Sequence, residues 1–317
     1  MRVLVTGGAG FIGSHIVDTY IAAGHEVVVV DDLSTGKREN LHPQAHFVQA
    51  NIQDPAVRKL IVDEKIEAIN HHAAQMDVRR SVADPVFDAQ VNILGFLNVL
   101  EGAREARVQK IIFASSGGTV YGEQQVFPAD ESHSTQPISP YGVSKLTGEH
   151  YLGFYRTEYG IPYAALRYAN VYGPRQDPHG EAGVVAIFTL RLLAGEQPVI
   201  NGDGKQSRDY VFVGDVAEAN LAALQVAYTG PINIGTAIET DVNELFAQLC
   251  RLTQSTACEE HGPAKSGEQR RSVLAWQHAQ QVLDWRPQVA LADGLKQTVA
   301  FFHQRQVKQV KQAKEAG

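Results

Sequence analysis

Tyr141 and Lys145 are the residues whose types and spacing most directly suggest chemistry. They stand four positions apart in a predicted helix, so their side chains share one face. A tyrosine phenol is a poor base at neutral pH, but a neighbouring ammonium favours the phenolate and lowers the pKa of the phenol. Hydroxyl side chains precede the pair in Ser115–Thr119, at the end of a predicted strand. The pattern predicts proton transfer at a substrate hydroxyl whose oxygen is bound by strand-end hydroxyls.

A glycine-rich segment near the start, Thr6–Gly13, predicts a binding site for a dinucleotide. It follows a short apolar run and opens a helix-like stretch, with glycines at positions 7, 10 and 13. This spacing allows a tight turn, close approach of the backbone to a pyrophosphate, and close packing of helix on strand. The helix start then offers unpaired N–H groups to phosphates. Asp31 ends the next predicted strand, where a carboxylate binds a ribose diol and repels a 2′-phosphate, so NAD is favoured over NADP.

The elements that position these residues alternate between strands and helices in the first half of the chain. Strands are predicted at residues 2–6, 26–30, 46–48, 66–71, 110–114 and 163–167, and helices at 12–23 and 141–159. Such alternation is typical of a parallel sheet with helices on both faces, and right-handed crossovers make that sheet doubly wound. The sequence predicts an α/β fold: a Rossmann-type doubly wound parallel sheet with a smaller C-terminal α/β substrate domain.

The pattern loosens from about residue 170. Helices are predicted near 184–194, 215–227, 241–252 and 292–302, and strands at 198–200 and 210–213 flank a turn at Asn201–Gly204 that we interpret as a hairpin. We expect residues 1–170 and about 207–236 to form a cofactor domain. We expect about 171–206 and 237–303 to form a substrate domain, followed by a polar tail at 304–317.

Composition narrows the classes of function. The 317 residues include 28 Lys and Arg against 35 Asp and Glu, a net charge of −7, which argues against binding to nucleic acid. The two cysteines, Cys250 and Cys258, are too few for a disulfide framework. No apolar run approaches the ~20 residues of a membrane span, and the first residues do not resemble a signal peptide. We therefore expect a cytoplasmic protein without a membrane partner, and no metal site, because His71 and His72 lack further ligands at suitable spacing.

Together these features resemble the extended short-chain dehydrogenase/reductase family, and within it the nucleotide-sugar epimerases of the UDP-glucose 4-epimerase type. The resemblance covers Met1 to about Phe302. Besides the glycine segment, its carriers are Asp31–Ser34, His72–Gln75, Asn92–Gly95, Ser115–Gly122, Ser139–Lys145, Arg167–Arg175 and Arg208–Tyr210.

The resemblance implies a 4-epimerase that keeps its NAD tightly bound. Tyr141 would remove the 4-OH proton of a UDP-hexose while the C4 hydride passes to NAD. The 4-keto sugar would then turn over in the pocket and take the hydride back on its other face. The resemblance also implies a homodimer, formed by helices near Asp88–Ala103 and Tyr141–Tyr159.

The resemblance further implies three sets of site residues. The catalytic residues are Tyr141 and Lys145 with a hydroxyl from Ser116 or Thr119. The cofactor residues are Gly7, Gly10, Phe11, Ile12, Gly13, Asp31, Asp32, Ser34, Asn51, Ile52, His72, Ala73, Ala74, Gln75, Asn92, Tyr141, Lys145 and Tyr168. The substrate residues are Asn170, Val184, Val185, Val199, Asn201, Arg208, Lys265, Glu268 and Ser272.

The sequence departs from the family pattern at Gly117, where Ser or Thr is usual. Ser116, one residue earlier, is the favoured hydroxyl, and Thr119 is the alternative. Lys265 stands where Arg is common. Ser272 stands where some relatives carry Tyr, so N-acetylated sugars are also expected to fit.

The sequence motifs can also be compared with those of other functions. Segment 117–121 lacks the acidic residues of nucleotide-sugar 4,6-dehydratases and the Glu of UDP-glucuronate decarboxylases, which favours epimerisation. A UDP-glucuronate 4-epimerase would need a cation for the C6 carboxylate, such as Arg175 or Arg191. A non-catalytic NAD-binding sensor is a third alternative, and the intact Tyr141 and Lys145 argue against it.

Overall fold

The computed structural model describes residues 1–178, 183–264 and 269–315, with side chains as far as residue 307. Its strands are β1 (Arg2–Thr6), β2 (Glu26–Asp31), β3 (His46–Gln49), β4 (Ala68–His71), β5 (Lys110–Ser116), β6 (Tyr163–Tyr168), β7 (Asn170–Tyr172), β8 (Ile200–Asn201), β9 (Ser207–Phe212), β10 (Gly230–Ile234), β11 (Glu239–Asp241), β12 (His261–Gly262) and β13 (Arg271–Ser272). Its helices are α1 (Phe11–Ala22), α2 (Pro55–Asp63), α3 (Val78–Ala83), α4 (Pro85–Ala89), α5 (Phe96–Ala106), α6 (Gly117–Val120), α7 (Pro140–Tyr159), α8 (Val184–Leu193), α9 (Val213–Gln225), α10 (Val242–Thr253), α11 (Gln277–Leu283) and α12 (Leu291–Glu315). A π-helix, Gln90–Gly95, joins α4 to α5.

Seven parallel strands form the central sheet, in the order β10-β6-β5-β4-β1-β2-β3. Each neighbouring pair is parallel, from β1 with β2 to β10 with β6. The predicted α/β fold with a doubly wound parallel sheet is confirmed. The strand order reverses between β1 and β4, and ligands of such sheets bind in the crevice beyond the carboxyl ends of the strands at that point.

Helices cover both faces of this sheet because its strands are apolar on both sides. Val3 and Val5 of β1 pack into one core with α1 and α9, whereas Leu4 faces the other core, formed with α2, α5 and α7. The Val27–Val30 run of β2 divides between the two cores in the same alternating way. All of these side chains are buried, as is typical of parallel strands covered on both faces.

Two smaller sheets are formed by segments after β6. β9 pairs with β7, β11 and β13, whereas β8 pairs with β12. The predicted hairpin across Asn201–Gly204 is therefore wrong, because its two strands belong to different sheets. The turn itself exists, with positive φ at Gly202 and Gly204. However, the Gly204 carbonyl accepts the Val242 N–H at the start of α10, and the strands on either side of the turn pair with separate partners.

Helix α7 carries Tyr141 and Lys145, and its sequence defines both of its ends. The Ser139 hydroxyl caps the N-terminus by accepting a backbone N–H of the first turn. Pro140 occupies the first helical position, where no N–H is needed. Gly160 ends the helix in a left-handed conformation, with a φ of 72°.

The last helix, α12, continues to Glu315, beyond the predicted end near residue 302. Leu295, Val299 and Phe302 are buried on its packed face. The predicted polar tail is therefore helical over most of its length. In the described ranges, no helix is long and apolar enough to cross a membrane.

Candidate active site

The Thr6–Gly13 segment turns tightly from β1 into α1, as the glycine spacing requires. Gly7 has a φ of +72°, and a Cβ there would lie 2.7 Å from the Ala73 nitrogen. A Cβ at Gly13 would lie 2.2 Å from the Gly7 carbonyl oxygen. At Gly10, an added Cβ would meet only that same oxygen among the described atoms, at 3.2 Å. The fold therefore requires Gly7 and Gly13, whereas Gly10 borders open space.

The space beside Gly10 lies at the N-terminus of α1, which no described side chain caps. By contrast, the side chains of Asp54 and Ser139 cap α2 and α7. The first N–H groups of α1, from Phe11 and Ile12 onward, are therefore available, and the helix dipole adds a positive potential. This end of the fold is suited to the pyrophosphate of a dinucleotide.

Two carboxylates at the end of β2 order the loops around this space. Asp31 is 7% exposed and accepts the Ala9 N–H at 3.0 Å and a second backbone N–H at 2.8 Å. Burial raises the pKa of Asp31 above its ordinary value. Each of its oxygens keeps a further lone pair, which is what a ribose diol requires. Asp32 accepts hydrogen bonds from the Ser34 N–H and the Asn51 amide.

The segment His72–Gln75 follows β4 and is held by side chains from two other elements. The Asn92 amide accepts the Gln75 N–H and donates to the Gln75 carbonyl, both at 2.9 Å. The Ala73 N–H donates to the Thr6 hydroxyl, which ties the segment to β1. Two more of the predicted cofactor residues are a half-buried Ala74 and a buried Ile52.

A buried chain of hydrogen bonds crosses the sheet below this segment. His72 Nε2 lies 3.1 Å from the Tyr168 hydroxyl, which in turn bonds to the Asn220 amide on α9. Burial, together with the Lys145 ammonium, lowers the pKa of His72 to about 3, so the ring is neutral at physiological pH. The Nδ1 atom of His72 is buried without a hydrogen-bond partner among the described residues. An orphaned polar atom at the carboxyl edge of the sheet is what a bound ligand would satisfy.

Tyr141 and Lys145 lie one turn apart on α7, and Lys145 packs against Phe113 of β5. Lys145 is 4% exposed, and its Nζ lies 5.6 Å from the centre of the Tyr141 ring and 5.0 Å from that of Phe113. Burial lowers the pKa of Lys145 to about 8, and the Asp88 carboxylate opposes that shift. A desolvated cation beside a phenol favours the phenolate. The pair is thus arranged for proton transfer by Tyr141.

Three side-chain oxygens face the space beside Gly118. A Cβ added there would lie 4.0 Å from Ser116 Oγ, Asn170 Oδ1 and Ser272 Oγ. The structure thus brings together three residues that are far apart in the sequence. Thr119 turns its hydroxyl to the Ser116 carbonyl, at 3.5 Å, whereas the Ser116 hydroxyl has no hydrogen-bond partner among the described residues.

A buried ion pair supports the same strand end, and sequence reasoning missed it. Arg167 and Glu149, 5% and 8% exposed, form two hydrogen bonds of 2.6 and 3.0 Å. The Ser115 hydroxyl donates to Glu149 at 2.5 Å, so Ser116 is the strand-end hydroxyl that remains available. Glu149 stands four residues after Lys145 on the same helix face, and that spacing is the signal that could have revealed it.

Comparison with known proteins identifies the family. The model of the NAD dependent epimerase/dehydratase family matches residues 3–235. The chain belongs to this family. It is 48% identical over 311 residues to the UDP-glucose 4-epimerase of Mycolicibacterium smegmatis, and the alignment covers 96% of this chain and 99% of that protein.

Two crystal structures of epimerase/dehydratase family members resemble this chain over nearly its whole length. The UDP-glucose 4-epimerase of Thermotoga maritima with UDP-glucose has a TM-score of 0.94 and 48% identity, and covers 96% of this chain and 100% of its own. The UDP-glucose 4-epimerase of Thermus thermophilus in complex with NAD has a TM-score of 0.91 and 44% identity, and covers 95% and 99%. The resemblance inferred from the motifs is confirmed.

Membership of the epimerase/dehydratase family also confirms NAD as the cofactor. The features of this chain that fit it are the uncapped start of α1, the buried Asp31 carboxylate and the orphaned Nδ1 of His72. In the part of the chain that the structure describes, no group of three or more His, Cys, Asp or Glu side chains could hold a metal ion.

The departure from the epimerase/dehydratase pattern at Gly117 has a steric cause. A Cβ at this position would lie 2.4 Å from Cδ1 of Leu274, whose side chain is fully buried. Leu274 therefore occupies the space that a Ser or Thr at position 117 would need. The strand-end hydroxyl must come from a neighbouring residue.

On the sugar side, Arg208 and Ser272 are Cα partners on β9 and β13. The Arg208 guanidinium donates to the Ser207 carbonyl at 2.8 Å. Asp209 on β9 is fully buried and accepts hydrogen bonds from Thr236 and from the backbone N–H of Leu274, just after β13. It thereby ties β9 and β13 to the segment that follows β10. Burial raises the pKa of Asp209 to about 6.

The other predicted substrate residues are less closely grouped. Val184 and Val185 open α8, whose N-terminus has no side-chain cap among the described residues. Val199 and Asn201 lie at the β8–β12 sheet, and no described hydrogen bond joins them to the oxygens around Gly118. Two further predicted residues, Lys265 and Glu268, lie outside the described residues.

Proposed function

We propose that the protein interconverts UDP-glucose and UDP-galactose by NAD-dependent epimerisation at C4. The observation that carries this proposal is the full-length similarity to UDP-glucose 4-epimerases, because it spans the regions that would bind both cofactor and sugar. The half-buried Tyr141 beside the buried Lys145 supports it by supplying a group that can take and return a proton.

The residues of the chain divide the proton chemistry between them. The uncapped start of α1 and the Asp31 carboxylate would hold NAD, whose chemistry would be reversible transfer of the hydride at the sugar C4. Tyr141, kept as phenolate by the Lys145 ammonium, accepts the proton of the 4-hydroxyl and gives it back to the 4-oxygen when the hydride returns. The Ser116 hydroxyl donates a hydrogen bond to that oxygen and orients it toward Tyr141.

The sugar side binds the nucleotide and leaves room for the 4-keto sugar to turn. Asn170 and Ser272 line the space beside Gly118 in which the sugar ring would lie. Arg208 would bind the diphosphate, because a guanidinium matches phosphate oxygens bidentately. The small Ser272 side chain would also admit an N-acetyl group.

The alternative of a UDP-glucuronate 4-epimerase is less well supported. Arg175, one candidate for binding a C6 carboxylate, forms an ion pair with Asp18 on α1 at 2.8 Å. The other candidate, Arg191, is exposed in the last turn of α8. A dehydratase or decarboxylase would need acidic residues in segment 117–121, where this chain has none.

Incubation of the purified protein with UDP-galactose, without added NAD, tests the proposal. We expect UDP-glucose to appear, because a retained NAD would give the hydride back to the sugar in every turnover and so would need no replacement. The nucleotide sugars are separated by chromatography, and NAD is measured after the protein is denatured. If UDP-galactose stays unchanged even when NAD is supplied, the proposal fails, and UDP-glucuronate is the next substrate to test.

We also propose a homodimer. Five large apolar side chains, at least 49% exposed, lie on neighbouring helices: Val82, Val86, Leu94, Val143 and Phe154. Exposed apolar groups in such number are typical of an interface. Light scattering should give the mass of a dimer, and Val143→Glu with Phe154→Glu should give that of a monomer. If the protein without substitutions has the mass of a monomer, the proposal is contradicted.

The two-domain division and the cytoplasmic location stay predictions. We propose that residues 1–170 with about 207–236 hold NAD, and that about 171–206 with 237–303 hold the UDP-sugar. Topology supports the first part, because β10 (Gly230–Ile234) pairs with β6 at the edge of the central sheet.

A further inference from the structure

The carboxylate of Asp88, on α4, is fully buried and belongs to none of the motifs of the sequence. Three donors from three elements surround it. The Ser144 hydroxyl of α7 donates at 2.6 Å, the Asn92 amide at 2.9 Å, and the Gln75 amide at 3.0 Å. These bonds satisfy its oxygens, but none of the three donors carries a charge. A buried carboxylate is stable only when its charge is also compensated.

The positive charge next to this cluster is that of Lys145, the residue after the Asp88-bonded Ser144 on α7, and the Asp88 carboxylate acts on it through space. The other groups near Lys145 are Tyr141 on the same helix, the Phe113 ring on β5, and His71 and His72 at the end of β4. Both imidazoles are neutral, because burial and the Lys145 ammonium lower the pKa of each. The Glu149 carboxylate, one turn further along the same face of α7, is already paired with Arg167. Among the described carboxylates, Asp88 is the one that raises the pKa of Lys145 against the effect of burial.

The same carboxylate is connected to the segment that borders the cofactor space. Asn92 lies in the π-helix, an element that is rare and frequent at functional sites. Its amide bonds to Asp88 and to both backbone groups of Gln75. The Gln75 side chain bonds to Asp88 directly. One buried charge thus joins the helix that carries the catalytic pair to the loop after β4.

We infer that Asp88 is a positioning residue: the buried counter-ion that keeps Lys145 protonated and, through Gln75 and Asn92, fixes the loop beside the cofactor. Its catalytic consequence rests on the proposed epimerase function, because Lys145 acts there by stabilising the Tyr141 phenolate. The charge state of Lys145 itself can be measured without turnover.

The test is a titration of the Lys145 side chain by ¹³C NMR in protein labelled at the lysine Cε. The resonance is assigned by its loss in Lys145→Arg. Replacing the carboxylate by an amide of the same shape, in Asp88→Asn, should lower the pKa of Lys145 by roughly one unit. Asp88→Glu keeps the charge and should keep the pKa of the unchanged protein. An unchanged Lys145 titration in folded Asp88→Asn would overturn the inference.

Ser144→Ala is the matched control, because it removes the 2.6 Å hydrogen bond to Asp88 and keeps the charge. Its Lys145 should titrate as in the unchanged protein. A shift as large as that of Asp88→Asn would mean that packing, and not charge, sets the pKa, which would contradict the inference. If Asp88→Asn does not fold, Asp88→Glu and Ser144→Ala decide, because a large shift in either opposes a role of the charge.

A second measurement separates the counter-ion role from the proposed function. In Asp88→Asn, the alkaline limb of the pH profile of kcat/KM for UDP-galactose should move to lower pH by the same amount as the pKa of Lys145. A limb that stays in place while that pKa moves would overturn the catalytic consequence. Failure of the unchanged protein to epimerise would contradict the proposed function, and the NMR titration would still decide the role of Asp88.

Discussion

The two sides of the candidate site differ in how their charged side chains are held. On the cofactor side, Asp88 and Lys145 are at most 4% exposed, and the Asp88 carboxylate accepts hydrogen bonds internal to the fold. On the sugar side one carboxylate, Asp209, is buried in the same way, but the charges around β13 pair at the surface, Arg270 with Asp203 and Arg271 with Glu239. The cofactor side is therefore fixed by the fold before a ligand binds. We infer that the proposed reaction depends on buried charge, whereas the choice of sugar depends on the shape of a space between short strands.

Removal of the Tyr141 hydroxyl is the change that should damage the cofactor side most. Tyr141→Phe should lower kcat by about 10²–10⁴-fold, because it removes the group that transfers the proton. NAD should remain bound, because the phenyl ring preserves the packing beside Lys145. Turnover of UDP-galactose and the NAD content of the purified variant measure the two effects.

Tyr159→Phe is the matched control for that change. Tyr159 lies at the end of the same helix and is 45% exposed, so its hydroxyl should not matter to turnover. Activity of Tyr141→Phe close to that of the control would contradict the assigned role and would move the proton chemistry to another residue.

Acid should weaken the cofactor side through its buried histidines. Burial lowers the pKa of His71 well below its ordinary value and that of His72 to about 3. In the unfolded chain a histidine binds a proton below about pH 6.5, whereas the folded state keeps both imidazoles neutral at that pH. Protons therefore bind preferentially to the unfolded state. The free energy of unfolding should therefore fall below about pH 6.5, by up to about 1.4 kcal/mol per pH unit for each histidine.

Urea unfolding at a series of pH values measures that slope. His72→Gln should flatten it, whatever the variant does to stability at neutral pH. His303→Gln, at an exposed position of α12, should leave the slope as it is. Equal slopes for His72→Gln and the unchanged protein would show that the buried imidazole does not set the acid response.

The strand-end hydroxyl joins the two sides, and its loss should have a smaller effect than that of Tyr141. Ser116→Ala should lower kcat by about 10²-fold, because it removes a donor to the reacting oxygen. Thr119→Ala should have little effect, since that hydroxyl already donates to the Ser116 carbonyl. Steady-state kinetics with UDP-galactose compare the two, and the reverse order of effects would assign the role to Thr119.

The reach of sequence reasoning follows the same division. The glycine turn at Gly7–Gly13 and the Tyr141–Lys145 pair were predictable because each is a local spacing within one turn or helix. The partner of β8 was not, because Ile200 pairs with His261 across many intervening residues, and the local turn signal indicated a hairpin. Burial is equally invisible in a sequence. Asp88 looks like any helical aspartate there, although its spacing of four from Asn92 was a usable signal.

The smallest expected effect is a change of sugar preference. Ser272 is 2% exposed, and its hydroxyl faces the space beside Gly118. In Ser272→Tyr the ring would fill the room proposed for an N-acetyl group, so kcat/KM for UDP-N-acetylglucosamine should fall about tenfold relative to that for UDP-glucose. Ser272→Ala keeps the space open and should preserve the ratio of the two substrates. If the Tyr variant lowers both values equally, the ring has disturbed a part of the site common to both sugars, and the separation of chemistry from sugar choice does not hold at this residue.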